Sequence, residues 1–181
     1  MRPTPLCILL VLSISPSSVP AVEVPDAIAA SDEVLAATVN AVGAQIYECK
    51  LDRAGNLVWQ FREPIATLFI DGKTVGRHYA GPSWEMTDGS VVSGKVASRA
   101  SAATPNDIPL LKLDVTSPRG QGVLANVTTI QRINTRGVLA NVTTIQRINT
   151  RGGVADGACE SQGLFLSVPY TADYAFYRKR D

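Results

Sequence analysis

Residues 45–62 constrain the fold of this chain more tightly than any other stretch. Gln45 to Leu51 alternates, with Tyr47, Cys49 and Leu51 on one side and Glu48 and Lys50 on the other. Asp52-Arg53-Ala54-Gly55-Asn56 is a cluster of turn-forming residues. Leu57, Trp59 and Phe61 then alternate with Val58, Gln60 and Arg62. A period of two on both sides of a short glycine-containing loop specifies a β-hairpin. The expectation is that Tyr47, Cys49, Trp59 and Phe61 face the core.

The remaining chain repeats this grammar. Pro64 reads as the end of the second strand. Ala66–Ile70 is a short apolar strand, and Asp71-Gly72 is a hairpin turn. Strands follow at Thr74–Tyr79, Ser83–Thr87 and Ser90–Ala97, the last with Val92, Gly94 and Val96 on one side, and they are punctuated by Gly81-Pro82 and Asp88-Gly89. Ser98–Asp107 reads as an exposed loop. In Pro109–Ser117, Leu111, Leu113 and Val115 alternate with Lys112 and Asp114. Near the end, Tyr174 and Phe176 share one face and Ala175 and Tyr177 the other, as in a strand that closes a sheet. Asp26–Ala37 has room for a helical turn but no stripe long enough for a helix. The fold class expected is all-β and antiparallel, a β-sandwich or partly closed β-barrel of about ten short strands with little helix.

One stretch occurs twice. Residues 122–136 read GVLANVTTIQRINTR, and residues 137–151 read the same. Solenoid units recur at longer periods and in more copies, so this is a local duplication and not a repeat architecture. In the first copy Val123, Ala125, Val127, Thr129 and Ile133 are expected on one face, with Asn126, Thr128, Arg132 and Asn134 on the other. Only one copy can take the single strand position, and the other is expected to form an added hairpin or an excursion. Each copy carries an Asn-Val-Thr sequon, at Asn126 and Asn141. These are glycosylation acceptors in a eukaryotic secretory route and ordinary polar strand positions in a bacterium.

The N-terminus has a single positive charge at Arg2, an apolar run from Leu6 to Ile14 and small residues ending in Val19-Pro20-Ala21. That pattern is a secretory signal peptide over 1–21, with cleavage after Ala21, leaving one β domain over 22–181. The apolar run is shorter than the roughly 20 residues a membrane-spanning helix needs, and no later segment is longer. The expected location is secreted or periplasmic. Without Arg2 the acidic and basic residues balance at 16 each. That balance argues against a nucleic-acid partner, which calls for a basic stripe. The short basic end Arg178-Lys179-Arg180 reads as a solvated terminus. Cys49 and Cys159 remain after cleavage and, in an oxidising compartment, are expected to form a disulfide. The loop so closed would be worth on the order of 4–5 kcal/mol at best in the chain-entropy account. No third ligand lies near either cysteine, so no metal site is expected.

The stretch His78-Tyr79-Ala80-Gly81-Pro82-Ser83-Trp84-Glu85 holds the only histidine and one of two tryptophans. His78, Tyr79, Trp84 and Glu85 are the candidate ligand-binding residues, since aromatics at strand ends suit a small molecule or sugar. A lone histidine cannot build a multi-histidine metal site. As a general base it would need Ser83 or Ser90 as nucleophile and Asp88 as orienter, without a Gly-x-Ser-x-Gly elbow. Glu85 and Asp88, three apart on a strand, point to opposite faces and make a poor carboxylate pair. No catalytic residue is therefore assigned.

Taken in order, Gln45-Ile46-Tyr47-Glu48-Cys49, Trp59, the His78-to-Trp84 stretch, Asp88-Gly89-Ser90, Ile130-Gln131-Arg132-Ile133-Asn134-Thr135, Gly157-Ala158-Cys159 and Tyr174-Ala175-Phe176-Tyr177-Arg178 resemble the bacterial and fungal family called domain of unknown function three-four-five-five. The resemblance covers essentially the whole chain after residue 21. It implies an exported, mostly β domain and brings no catalytic residues with it. Some fungal members carry a malate dehydrogenase label. Here there is no Gly-x-Gly-x-x-Gly after a strand and no βαβ alternation to support it. The second repeat copy is a departure from the family pattern. The leading expectation is a non-enzymatic module, without cofactor, that binds a small molecule, glycan or protein. A hydrolase using His78 and a structural or stress-related envelope protein are the alternatives.

Overall fold

A computed structural model describes residues 24–136 and 152–180. The signal peptide assigned to 1–21, the second repeat copy 137–151 and its Asn141 lie outside the described residues. One 3₁₀ turn, Asp26–Ile28, precedes eight strands: β1 (Glu33–Leu51), β2 (Leu57–Ile70), β3 (Lys73–Tyr79), β4 (Ser83–Met86), β5 (Val91–Ala100), β6 (Leu110–Arg119), β7 (Thr129–Arg136) and β8 (Phe165–Lys179). Each strand pairs antiparallel with its neighbours in the chain, and β8 returns to pair with β1, closing the sheet into a barrel. The expected all-β antiparallel class is what the chain adopts, in its barrel form. The strands are fewer and longer than the turn spacing suggested, with β1 running 19 residues, β2 14 and β8 15.

Pro64 shows why. It does not end β2. Tyr47↔Phe61 gives way to Ile46↔Glu63, so Arg62 is an extra residue on β2. The proline sits next to that bulge, where the ladder is already interrupted and a missing N–H costs least. The Asp71-Gly72 turn does form, with both residues at positive φ (48° and 74°), the two-residue hairpin geometry that suits the sheet's twist.

Inward positions on every strand meet in one core. Val39, Leu68, Trp84, Val92, Leu113, Ile130, Tyr170, Tyr174 and Phe176 are all buried in it. Val92 and Leu113 follow the alternation read from β5 and β6, and Tyr174 and Phe176 that of β8. The first repeat copy departs from its expected faces. Residues 122–128 form a loop, and β7 begins only at Thr129. Thr129, Ile130 and Gln131 are all buried, which breaks a simple alternation. The reason is a cover on the outer surface: the Gln131 side-chain amide donates to the Ile28 carbonyl, and Thr129 Oγ1 donates to Glu33 Oε1 at 3.0 Å. Ile130 and Arg132 then point inward, paired with Phe176 and Tyr174.

The two ends of the barrel differ. At one end the loop after β6 folds inward, burying Leu124 completely and Val127 almost so. Asp88 holds that loop. It accepts from Val123 N (2.8 Å), Ser90 N (2.9 Å) and Ser90 Oγ (2.6 Å). At Gly122 a Cβ would lie 2.4 Å from the Asp88 carboxylate, so a side chain there would block the approach. At the other end β3 pairs with β2 only over residues 66–70, and the 57–65 portion of β2 runs on paired only with β1, as a flap. The Cys49–Cys159 disulfide forms here, with Cα atoms 5.8 Å apart, tying the loop before β8 to the flap.

Candidate functional site

The open end is a mouth. A cavity of about 550 Å³ enters it, with His78, Trp84 and Tyr174 at depth and Tyr47, Phe61 and Pro64 along the flap. Register decides who reaches it. His78 faces Trp84 across β3 and β4, and Arg77 faces Glu85. Adjacent residues on a strand point to opposite faces. The four candidates therefore divide in two.

His78 and Trp84 point inward. Their rings stack with centroids 4.3 Å apart at 12°, and Tyr174 meets both edge-on at 5.0 and 5.2 Å. His78 Nδ1 donates to the Ser83 backbone carbonyl at 2.8 Å. A carbonyl only accepts, so the proton is on Nδ1 and Nε2 keeps its lone pair. Burial, reinforced by the positive charge of Arg132 and only partly offset by the Ser83 bond, pulls the His78 pKa down to about 3. The imidazole is neutral across the physiological range.

Tyr79 and Glu85 lie on the outer surface. The Tyr79 hydroxyl donates to Glu85 Oε2 at 3.1 Å, and Arg77 pairs with the same oxygen at 2.8 Å. Those two hydrogen bonds hold the Glu85 carboxyl below its ordinary range. The Arg77 guanidinium also lies 5.0 Å over the Tyr79 ring. This trio is a surface ion-pair patch, separated from the cavity by the sheet.

The hydroxyls weighed as nucleophiles are bonded elsewhere. Ser83 Oγ pairs with Ser93 Oγ at 2.8 Å, and Ser90 Oγ donates to Asp88 near the plugged end. Asp88 orients a loop instead of the imidazole. Asn126 is exposed in the loop before β7. Of the hairpin residues expected inside, Cys49 is fully buried, Tyr47 and Trp59 are half-buried, and Phe61 is 53% exposed. Phe61 stands at the mouth, edge-on to Tyr47 at 5.8 Å, because β3 does not extend far enough to cover it.

Among the lining residues that the sequence did not mark as such are Gln45, Arg99 and Arg132. Arg132 was placed with the polar face of the repeat, but it shares the parity of Ile130, and that pairing was the available signal. Arg99 enters through a bulge. The register passes from Val96↔Leu113 to Ser98↔Lys112, so Ala97 is extra and Arg99 takes an inward position beside Leu111. No residue type announces such a bulge. Gln45 follows the inward parity of Tyr47 and Cys49, and its buried amide nitrogen makes no close hydrogen bond, only a long contact toward the Tyr170 hydroxyl. The Trp84 indole N–H is buried and unpartnered.

Among the described residues no cluster of three or more His, Cys, Asp or Glu side chains is arranged to hold a metal ion. Nor does any helix among them have the length and apolarity to cross a membrane. No curated protein and no solved structure matches the chain. A family model does match, over residues 30–141 and 135–178, and the match divides within the duplicated stretch. With most of its length matched, the chain belongs to the family described as protein of unknown function (DUF3455).

Proposed function

We propose that this protein is an exported, non-enzymatic binding module that takes a small molecule into the barrel mouth over His78 and Trp84. The observation that carries the reading is the pair of buried N–H donors, Trp84 Nε1 and Gln45 Nε2, on residues lining a cavity of about 550 Å³. A buried donor without an acceptor costs about 1–3 kcal/mol, and an acceptor brought by a ligand removes that cost. The volume lies within the range of small-molecule sites, and the lining is mostly apolar with a few polar groups. The disulfide supports export, since such bonds persist in oxidising compartments.

Binding is favoured over hydrolysis by the state of His78. A neutral imidazole with a pKa near 3 is a weak base, and no serine hydroxyl is bonded to it. The test is titration with N-phenyl-1-naphthylamine, a neutral fluorescent apolar probe. Saturable 1:1 binding is expected, abolished in Leu111→Trp, which fills the cavity with the barrel still folded by circular dichroism. No saturable binding to the unmodified protein, or equal binding to Leu111→Trp, would overturn the reading.

A further inference from the structure

The charges around the mouth are one-sided. Arg62, Arg99 and Arg132 line the cavity, and among the described residues no aspartate or glutamate does. The chain as a whole carries a formal charge of only +1, so this is a local arrangement and not a basic protein. Arg62 is partly neutralised, 3.2 Å from Glu63 and 3.8 Å from Glu48, and it leans over Phe165. Arg132 donates Nε and Nη2 to the Pro109 carbonyl at 3.0 and 2.6 Å, a contact that fixes its position without cancelling its charge. Among the described residues no ion pair forms at Arg99 or Arg132. Both are turned toward the mouth by the backbone: Arg99 by the Ala97 bulge and Arg132 by the inward parity of β7.

The interior polar groups point to the same kind of partner. The two groups at depth without a close hydrogen bond, the indole N–H of Trp84 and the amide nitrogen of Gln45, are donors. The stacked His78–Trp84 pair and the edge-on Tyr174 line the depth of the cavity with aromatic rings. A cationic ligand would meet the guanidinium groups of Arg99 and Arg132, which no carboxylate among the described residues pairs with.

Resting on the binding reading above, we infer that the ligand is an apolar, flat carboxylate, with its body against Trp84 and His78 and its anionic group at Arg99 and Arg132. Charge-assisted hydrogen bonds to guanidinium are about twice as strong as neutral ones, and the planar fork matches a carboxylate. Removing the ligand's charge while keeping its shape should therefore weaken binding while leaving it measurable.

Three probes of one shape separate the possibilities: naphthalene-2-carboxylate, naphthalene-2-carboxamide and 2-naphthylmethylammonium, compared by calorimetry at pH 7.5. The carboxylate is expected to bind about tenfold more tightly than the carboxamide, and the ammonium more weakly than either. The carboxylate's advantage should shrink in 0.5 M salt and in Arg99→Gln, an exposed position whose substitution spares the core. It should disappear in the Arg99→Gln, Arg132→Gln double variant. If carboxylate and carboxamide bind equally, or if the ammonium binds best, the charge assignment is overturned and the cavity reading stands. If none of the three binds and N-phenyl-1-naphthylamine also fails, both readings fall together.

Discussion

The two ends of the barrel are built from the same strands and solve opposite problems. At the plugged end the polar contacts are internal: Asp88 takes hydrogen bonds from Ser90 and Val123, and Leu124 is fully buried. At the mouth the buried donors of Trp84 and Gln45 make no close hydrogen bond, and Phe61 and Phe165 are 53% and 58% exposed. Barrel interiors are normally filled by their own side chains or left to hold one ligand. Here one end follows each rule. On the binding reading proposed above, the plug carries stability and the mouth carries recognition, and substitutions at the two ends should separate accordingly.

The largest effect is expected at the plug. Leu124→Ala removes a fully buried side chain from a close-packed region, for a loss of about 2–5 kcal/mol. For a chain of this size that is a fall in Tm of roughly 5–15 °C. Phe61→Ser at the mouth should change stability by no more than about 0.5 kcal/mol, since the ring is already half in solvent. Paired urea melts of the two variants check this. Equal costs would mean that the mouth is as much a part of the core as the plug.

A smaller effect, and one that belongs to the mouth alone, depends on pH. The folded His78 pKa of about 3 lies below the ordinary value of 6.5. Between those values the unfolded chain binds a proton that the folded chain refuses, so stability rises with pH across the window. The contribution is complete above pH 6.5 and is lost as pH falls toward 3, at up to about 1.4 kcal/mol per pH unit. Asp88 and Glu85 also have depressed pKa values, from hydrogen bonds to Ser90 and Val123 and to Arg77 and Tyr79 respectively. Their losses begin only near the ordinary carboxylate range, below about pH 4.5. The interval from pH 6.5 to 5 thus reports His78, whose neighbours are Trp84, Tyr174 and the opposing charge of Arg132. Denaturant melts should show a decline of about 2 kcal/mol across it, absent in His78→Gln. A flat profile in the unmodified protein would show that the imidazole gains its proton at the mouth without penalty, and that the site is wetter than its burial implies.

The sequence made some of this contrast legible and hid the rest for definable reasons. Two-residue alternation placed Cys49, Val92, Leu113, Tyr174 and Phe176 inward, and Asp71-Gly72 and Asp88-Gly89 fell at turns, because these features are local. The disulfide followed from parity and compartment. What alternation alone could not supply was the effect of bulges and of partners distant in the chain. The Arg62 bulge carries β2 through Pro64, and the Ala97 bulge turns Arg99 inward. Phe61 looked like a core residue because its exposure depends on where β3 stops. Thr129 and Gln131 are buried on the outer side by Glu33 and Ile28, covers that lie far away in sequence. Tyr79 and Glu85 were grouped with His78 and Trp84 because they adjoin them in sequence, whereas the pleat sends neighbours to opposite sides.

The smallest stability effect is expected from the largest change. Pairing to β8 is present on both sides of the second repeat copy: Arg136 pairs with Thr171, and two residues further along β8, Gly153 N donates to the Pro169 carbonyl at 3.0 Å. Gly152 is held as well, its carbonyl accepting from Ile108 N at 2.9 Å. Each copy ends in Arg and is followed by Gly, so deleting 137–151 joins Arg136 directly to Gly152 and keeps the local sequence of that junction. The two residues after Arg136 would then be Gly152 and Gly153, matching the two-step advance along β8 from Thr171 to Pro169. Loop closure entropy changes slowly with length, by about 0.6 kcal/mol per doubling, and acts here in favour of the shorter chain. Deletion should therefore leave Tm unchanged or raise it by a few degrees, by calorimetry, with N-phenyl-1-naphthylamine still bound at the mouth. A deleted chain that fails to fold would show that the second copy holds a position in the barrel and that the pairing on its two sides is not self-sufficient. A chain that folds but no longer binds would assign the second copy to the mouth, and so move part of the recognition surface from the strands onto the duplication.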